Sequence, residues 1–386
     1  MSEIQIQEHE LVQSSAQLAN LISTWRDLDF VCIDTEFMRS DTYFAELALV
    51  QISAGQDTVL VDPLVDGMDD VLRPLLCDFD LIKVLHAGSE DLQILAQYCG
   101  APLNSIYDTQ IAAALAGYGF SLAYGKLVAQ LCEVELDKGQ TRSDWTQRPL
   151  TDKQLQYAAA DVLYLPAIYK HLANKLELLG RAEWMHAECS ELVSIASMTV
   201  EPEAAFNRVG RAWQLKDRSL LCLQRLAAWR EHTAISSNRP RNWILKDKSL
   251  WQMAERLPKG ESELASIDEM SPGQIRRYGT EVLGIVSECA DASVDDYPAS
   301  LAEPAGKSYS QVSKKLRAAV QSTAKELDLA PEMLARKKDI EFILASHANN
   351  GVVELPASLK GWRYPVIGET LIEQFTAHYS NNNSVA

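Results

Sequence analysis

The chain has 386 residues and a formal net charge of −17 at pH 7, with 47% hydrophobic and 23% charged residues. This length allows two or three domains with their own cores, and the composition excludes a wholly disordered chain. No run of about 18 apolar residues occurs, and the first residues lack the basic and apolar segments of a signal peptide, so we expect neither a membrane span nor a signal peptide.

The seven cysteines are widely spaced and form no Cys-x-x-Cys pair. Their odd number and their spacing argue against a zinc ribbon or a disulfide framework and are typical of a reducing compartment. We therefore expect a cytoplasmic protein, and we expect it to be a monomer.

The acidic excess is confined to the first half of the chain. Residues 1–200 contain 12 Lys and Arg against 29 Asp and Glu, whereas residues 201–386 contain 24 of each. Residues 207–248 hold ten basic and three acidic residues, a local charge of +7. Because screening limits electrostatic reach to about 8–10 Å, such a stretch is able to attract nucleic-acid phosphates. A solvated surface is the alternative.

The first half predicts an α/β domain with a mixed sheet flanked by helices, because strands come first and then alternate with helices. A capping box formed by Thr151 and Gln154 begins the last helix, and Asp108 or Thr109 caps an earlier one. The predicted strands are 30–33, 44–53, 58–61, 81–85 and 104–107, the first three as an antiparallel meander, and the predicted helices are 68–77, 90–99, 110–115, 122–131 and 152–179.

After Gly180 the pattern is helical and predicts two all-α bundles. Residues 190–208 are expected to form a bridge and 291–307 a linker. The predicted helices are 214–231, 248–256, 261–266, 273–289, 310–327, 331–345 and 369–377. The six residues before Ala386 are expected to be mobile.

Asp34 and Glu36 follow the first predicted strand. Residues i and i+2 of a strand point to the same face, so the two carboxylates are able to serve one site. Charge at the end of a buried strand is costly unless it is paired or metal-bound. Polar residues turning into solvent are the alternative.

Two further motifs carry acids. Asp91 lies in the first turn of a predicted helix, where complementing the helix dipole is the alternative role. Tyr157 and Asp161 are four residues apart on a helix and therefore share a face, with three alanines between them that leave open space. A plain Tyr–Asp hydrogen bond at the helix surface is the alternative.

If these four carboxylates converge, they repel one another and need cations. Two divalent ions about 3.5–4 Å apart relieve the repulsion, activate water and stabilise the leaving oxygen of a phosphoryl displacement. Ligation by oxygen alone favours Mg²⁺ or Mn²⁺ over a structural zinc. Tyr157 would then orient or help to deprotonate the attacking water.

In this order, the three motifs resemble those of the DEDD exonucleases of the tyrosine subtype. Residues 143–145 (Ser-Asp-Trp) and 148–150 (Arg-Pro-Leu) resemble the ribonuclease D family in particular. Residues 226–231 and 238–247 are similar to the HRDC domain that such nucleases share with RecQ-type helicases. Residues 308–375 are more faintly similar to a second HRDC domain.

The resemblance implies a ribonuclease H-like exonuclease domain over 1–205, an HRDC domain over 206–292, a linker over 293–307 and a second HRDC-like domain over 308–386. It implies that the chain trims single-stranded RNA 3′ ends, including those of tRNA precursors, and releases 5′-mononucleotides. The second HRDC-like region lacks an Asn-Arg-Pro-Arg element, so packing is an alternative to RNA binding there. The implied catalytic and metal-ligating residues are Asp34, Glu36, Asp91 and Asp161, with Tyr157 positioning water.

Other residues are candidates for substrate contacts. His86 is able to contact a terminal phosphate or ribose, although a histidine before a helix is more often structural. Tyr43, Leu47 and Gln51 lie near the metal strand and are candidates to stack on or wedge the last bases, with core packing the default for Leu47. The phosphate-binding candidates lie beside Trp243, which we expect in the core, and are Arg239, Arg241, Lys246 and Lys248.

Two other functions remain open. A DNA exonuclease on the same scaffold is possible because the metal site does not read the 2′-hydroxyl group, so the sugar contact decides. A non-catalytic RNA-binding or scaffold protein requires a broken ligand set, whereas all five positions are intact. A helicase is excluded because the chain has no Gly-x-x-x-x-Gly-Lys-Ser/Thr loop.

Overall fold

A computed structural model describes residues 10–137, 139, 143–198 and 201–383. Its sheet has the order β1-β4-β3-β2-β5-β6. Strands β2, β3 and β4 form the predicted antiparallel meander, and the other three pairings are parallel, so the predicted mixed sheet is confirmed. The strands are β1 Glu10–Val12, β2 Phe30–Met38, β3 Glu46–Ala54, β4 Asp57–Val61, β5 Ile82–Leu85 and β6 Ile106–Asp108.

The helices of this α/β domain correct three predictions. Helix α1, capped by Ser14, occupies a region where only strands were predicted. The single helix predicted over 152–179 is two helices that meet at Tyr164, and most of the predicted bridge is helical. The helices are α1 Ser15–Thr24, α2 Met68–Leu76, α3 Ser89–Cys99, α4 Thr109–Leu115, α5 Tyr124–Cys132, α6 Asp152–Leu163, α7 Leu165–Leu178 and α8 Ala182–Ser197.

The sheet is buried on both faces. Leu18, Leu72 and Leu95, from α1, α2 and α3, pack with Ile33 and Ile52 on one face. Helices α6 and α7 cover the other face, through the clusters built on Leu49, Leu60, Cys32 and Val84. Each fully buried aliphatic side chain contributes about 1.5–3 kcal/mol relative to an exposed one, so both layers hold the sheet in place.

Two helical units follow, each with its own buried cluster. Before, between and within these units lie short 3₁₀ turns at Pro202–Arg208, Ala212–Gln214, Val294–Asp296, Lys307–Tyr309 and Ala357–Leu359 and a π-helix at Tyr364–Gly368. The first unit contains α9 Asp217–Ser236, α10 Arg241–Ile244, α11 Asp247–Arg256, α12 Glu261–Leu264 and α13 Pro272–Ala290. The second contains α14 Ser310–Glu326, α15 Pro331–Leu334, α16 Lys337–Asn350 and α17 Glu369–Asn383.

Helix α17 reaches Asn383, so residues 380–383, which were predicted to be mobile, are helical. The last three residues lie outside the described part of the chain. Among the described helices, none combines the length and the apolarity needed to cross a bilayer.

The second helical unit is fastened to the α/β domain at α8. Trp184 and Trp362 stack with ring centroids 4.3 Å apart and an interplanar angle of 13°. Arg363 donates two hydrogen bonds to Glu188, of 2.6 and 2.8 Å, and the two side chains are only 10% and 12% exposed. Removing one partner of such a pair leaves the other charge buried without compensation. This geometry favours the packing role that the sequence left open for the second unit.

We expect Arg363→Ala to lower the free energy of unfolding by about 3 kcal/mol, because Glu188 would then be buried without a counter-charge and would keep only the hydrogen bond from the Trp362 indole N–H. Denaturant-induced unfolding measures this loss. Lys337→Ala in the same unit is the control, because its ion pair with Glu341 is 76% and 56% exposed and exposed pairs contribute about 0–1 kcal/mol. Equal losses in the two variants would show that the Arg363–Glu188 pair does not fasten the units together.

Candidate active site

The four predicted carboxylates lie on three elements that meet around β2. Asp34 and Glu36 are inside β2, not after it as predicted, and the register with β3 shifts between Glu36 and Phe37. This β-bulge lets the strand run on to Met38 while it re-aims the chain next to the acids. Asp91 lies in the first turn of α3, and Asp161 lies on α6, which packs across β2.

Asp91 is positioned from two sides. The Thr35 hydroxyl donates to Asp91 Oδ1, which ties the start of α3 to the strand that carries the other acids. The turn before α3 approaches β5 so closely that a Cβ on Gly88 would lie 2.9 Å from the Leu85 side chain. Only glycine fits at position 88. Close packing of this turn on β5 therefore fixes where α3 begins, and with it the position of Asp91.

Asp108 fixes the same turn. It caps α4 by accepting hydrogen bonds from two of the first N–H groups of that helix, as predicted. It also accepts from the backbone N–H groups of Ala87 and Gly88, at 3.1 and 2.9 Å. The cap is predictable because Asp108 bonds residues two and three positions further along the chain. The bonds from Ala87 and Gly88 are not, because those residues lie about 20 positions earlier. Asp108 is therefore a positioning residue for Asp91 that the sequence analysis missed.

All four carboxyl groups have raised pKa values. Burial, and then the charges of Asp91, Asp161 and Glu36, raise the pKa of Asp34 well above its usual range. Burial and the charges of Asp161 and Asp91 raise the pKa of Glu36 to about 8. Burial raises the pKa of Asp91 to about 6 and that of Asp161 to about 7. Asp34 is therefore close enough to the other three acids for their charges to act on it.

Tyr157 is hydrogen-bonded to Asp161, and this bond favours the ionised carboxylate. The tyrosine ring lies 6.1 Å from the ring of Trp145, which is buried against the sheet. Ala158 and Ala159 are also buried there. The prediction that the alanines leave open space is therefore wrong. Their small side chains let α6 approach the sheet closely and bring Asp161 to β2.

The acids of the site are not grouped as metal ligands in this structure. Among the described residues, no three His, Cys, Asp or Glu side chains are at a spacing that holds a metal.

We expect Glu36→Gln to stabilise the metal-free protein increasingly as pH rises. A carboxyl group with a raised pKa contributes stability that is complete below its unfolded value, near 4.5, and is lost as pH rises through the folded value, about 8. The variant should gain almost nothing at pH 4.5 and about 2 kcal/mol at pH 8.5. Urea unfolding in a chelator measures this gain, and a pH-independent difference would contradict it.

Two of the substrate-contact candidates, Leu47 and Gln51, are buried, and a third, His86, is half-buried. His86 uses both ring nitrogens, at 2.9 Å from Thr109 Oγ1 and from the Leu122 carbonyl oxygen, so neither is open to a phosphate as it stands. Leu47 belongs to the core cluster, so it has the packing role that was the default expectation for it. Gln51 is fully buried. None of the three therefore presents an unpaired polar group at the surface in this structure.

Tyr43 connects the loop between β2 and β3, residues 39–45, to the first helical unit. Its hydroxyl donates to the buried Glu231, and the Arg241 guanidinium lies 5.3 Å from its ring centroid. Asn238 Oδ1 accepts from the backbone N–H groups of Tyr43 and Phe44, both at 3.1 Å. The first helical unit therefore holds the loop that follows the carboxylate strand.

The basic candidates divide into paired and unpaired groups. Arg241 lies 2.8 Å from Glu231, so it serves the contact with Tyr43. Lys246 and Lys248 pair with Glu269 and Asp268, at 3.4 and 2.9 Å, in exposed surroundings.

Arg239 is exposed and forms no ion pair with any described residue. Trp243, expected in the core, is instead 55% exposed. It lies on α10, which is one turn long and has only Ile244 buried. An unpaired arginine and an exposed tryptophan four residues apart therefore mark this surface.

Comparison with known proteins agrees with the arrangement of the three units. Residues 9–177 match the model of the 3′–5′ exonuclease family, residues 219–286 that of the HRDC domain, and residues 307–371 that of the ribonuclease D C-terminal HRDC domain. Ribonuclease D of Pseudomonas paraeruginosa is 38% identical over 365 residues, which span 95% of this chain and 97% of that protein. Ribonuclease D of Escherichia coli is 33% identical over 376 residues, 94% of this chain and 97% of that protein.

A solved structure shows the same likeness across the whole molecule. The crystal structure of E. coli RNase D, described as an exoribonuclease involved in structured RNA processing, superimposes with a TM-score of 0.89 and 31% identity. The match covers 96% of this chain and 99% of that one. The chain therefore belongs to the ribonuclease D family of 3′–5′ exoribonucleases.

Proposed function

We propose that this protein hydrolyses phosphodiester bonds one at a time from the 3′ end of single-stranded RNA and releases 5′-mononucleotides. The observation that carries the proposal is the set of four carboxylates with raised pKa values around β2, with Tyr157 hydrogen-bonded to one of them. The likeness to a relative described as acting in structured RNA processing supports tRNA precursors as substrates.

We propose that Asp34, Glu36, Asp91 and Asp161 hold two divalent cations, Mg²⁺ or Mn²⁺. The donor set fits hard cations because it offers carboxylate oxygens only. The raised pKa values fit as well, since a site that disfavours its own charges is one that cations stabilise. When bound, the ions activate a water molecule and stabilise the charge on the departing 3′-oxygen.

The proposed role of Tyr157 follows from its hydrogen bond. Its hydroxyl donates to Asp161, and because a phenolic oxygen is an acceptor as well as a donor, it is suited to accept a hydrogen bond from the attacking water. Burial of Trp145 and Ala158 against the sheet holds α6, and with it the tyrosine, in place. Water oriented in this way attacks in line with the leaving 3′-oxygen.

We propose that the RNA upstream of the scissile bond runs over the surface marked by Arg239 and Trp243. Guanidinium groups bind phosphates and exposed indole rings stack on bases, which suits single strands without sequence preference. We propose HRDC domains over 206–292 and 308–386, the second acting by packing. Six of the seven free cysteines are buried, in keeping with our proposal of a monomer in the cytoplasm.

Arg239→Ala combined with Trp243→Ala should raise the Kd for single-stranded RNA by roughly tenfold or more and leave the single-turnover rate at saturating RNA unchanged, because a phosphate contact and a stacking contact are lost away from the chemistry. Fluorescence anisotropy measures the Kd. Arg317→Ala, an exposed arginine on α14, is the control and should change the Kd by less than about twofold. A double variant that binds like the wild type would remove this surface from the RNA path.

The proposed function is tested with 5′-labelled single-stranded RNA and DNA of one sequence, each with a 3′-hydroxyl or a 3′-phosphate end. With Mg²⁺ or Mn²⁺ we expect RNA with a 3′-hydroxyl to be shortened stepwise from its 3′ end, and chelator to stop the reaction. Faster shortening of DNA would identify a DNA exonuclease. Binding of RNA without any shortening would identify a non-catalytic RNA-binding protein.

A further inference from the structure

Gln51 is a fully buried polar residue in the middle of β3. Neither its amide nitrogen nor its amide oxygen has a hydrogen-bond partner among the described residues. A buried amide without partners costs about 1–3 kcal/mol, and folded proteins keep few such groups. The unpartnered Gln51 amide therefore destabilises the folded protein in this state. The position of Gln51 in the sheet indicates a role that offsets this cost.

Gln51 lies directly opposite Asp34 in the antiparallel pairing of β2 with β3. Opposite residues of such a pair point to the same face, with their Cβ atoms about 4.5–5.5 Å apart. The neighbour on the other side, Leu60 of β4, is apolar and offers no partner. The unpartnered Gln51 amide therefore lies beside Asp34, the carboxylate on which the charges of all three other acids act.

The two groups are complementary. The Asp34 carboxylate accepts a hydrogen bond from the backbone at Thr35, and Gln51 holds two N–H donors without acceptors. A carboxylate that ligates a metal with one oxygen is commonly held by a hydrogen bond to its other oxygen. Because Gln51 is not exposed, it cannot reach a nucleotide as it stands, which argues against the direct substrate contact considered from the sequence.

We infer that Gln51 is a positioning residue for the metal site, whose amide nitrogen donates to Asp34 once a divalent cation is bound. The inference rests on the proposed metal-dependent function. On loading, Asp34 becomes a fixed anion and accepts from the waiting donor, so the cost of the unpartnered amide in the metal-free protein is relieved. Cation binding and the satisfaction of Gln51 are thereby coupled.

This coupling predicts opposite effects of one substitution. Gln51→Met keeps the length of the unbranched side chain and removes both polar atoms, so the metal-free protein should melt about 2–4 °C higher. Its affinity for Mn²⁺ should fall about 10–100-fold, the usual effect of removing a group that orients a ligand. Excess Mn²⁺ should restore most of the RNA-shortening rate, since Gln51 does not touch the reacting atoms.

The experiment titrates metal-free wild type and variant with Mn²⁺ alone and follows free Mn²⁺ by electron paramagnetic resonance. Leu49→Met is the matched control, because Leu49 is buried on the same strand, lies opposite Glu36 and has no polar atom. It should bind Mn²⁺ within about twofold of the wild type. If the Gln51→Met protein does not fold, Gln51→Leu is measured by the same criterion.

A tenfold or greater loss of Mn²⁺ affinity, absent from the control, supports the inference. Unchanged affinity overturns it and leaves Gln51 as a packing residue, whatever the melting temperature does. A wild-type protein that binds no Mn²⁺ would overturn the proposed metal dependence itself, so the two failures are distinguishable.

Discussion

Asp34→Asn is expected to lower the rate of RNA 3′-end hydrolysis by at least about a thousandfold. Asp34 is the acid whose pKa is raised by all three other carboxylates, so it lies at the centre of the set. The amide keeps the shape of the side chain but removes the charge that would hold a cation. Single-turnover hydrolysis at saturating RNA and Mg²⁺ measures the loss.

The variant should remain folded, because it removes a charge that burial disfavours, and its metal-free melting temperature should equal or exceed that of the wild type. Asp66→Asn, at an exposed acid of the same domain, is the control and should retain full activity. Near wild-type turnover of Asp34→Asn would remove Asp34 from the mechanism.

Tyr157→Phe is expected to slow catalysis by roughly a hundredfold, the usual contribution of a group that positions or shuttles a proton. The ring and its packing on Trp145 are retained, so Mn²⁺ affinity and the Kd for RNA should change little. Comparing single-turnover rates with anisotropy-derived Kd values separates the two effects.

Tyr169→Phe is the matched control, since Tyr169 lies on α7 and packs on Phe30 with ring centroids 4.7 Å apart. It should leave both the rate and the Kd within about twofold of the wild type. If Tyr157→Phe weakens RNA binding in proportion to its loss of rate, the tyrosine binds substrate and does not position water.

Local features of the fold could be predicted because they depend on neighbours in sequence. The capping box of Thr151 and Gln154 and the cap formed by Asp108 are present as expected, since both are contacts between residues two or three positions apart. The meander followed from short apolar runs joined by short loops. Helix α1 was missed because its polar face and short length resemble a loop between strands.

Long-range contacts could not be predicted in the same way. Tyr43 was expected to meet a nucleotide, yet its hydroxyl reaches Glu231, 188 residues away, across two units. Trp243 was expected in the core, yet α10 is too short to show a periodicity that tells its buried side from its exposed one. Gln51 was visible as a polar residue in an apolar strand, but only the register with β2 places it beside Asp34.

The candidate site depends on both local features and long-range contacts, so only part of it could be predicted from the sequence. Spacing along the chain put Asp34 with Glu36 and Tyr157 with Asp161, because each pair shares a strand or a helix face. What brings the pairs together is tertiary: α6 packs on the sheet through its alanines, and Thr35 holds Asp91. The order of the motifs and the family resemblance supplied this step in the sequence analysis.

The central claim is that the four carboxylates support metal-dependent hydrolysis of the terminal phosphodiester bond, and the fate of water oxygen tests it most directly. RNA is digested in H₂¹⁸O with Mg²⁺, and the products are analysed by mass spectrometry. We predict nucleoside 5′-monophosphates that carry ¹⁸O in the phosphate, together with RNA that retains a 3′-hydroxyl end, and no products with chelator or with Asp34→Asn. Products with 2′,3′-cyclic phosphates, unlabelled nucleoside diphosphates, or labelled monophosphates formed equally well in chelator would contradict it.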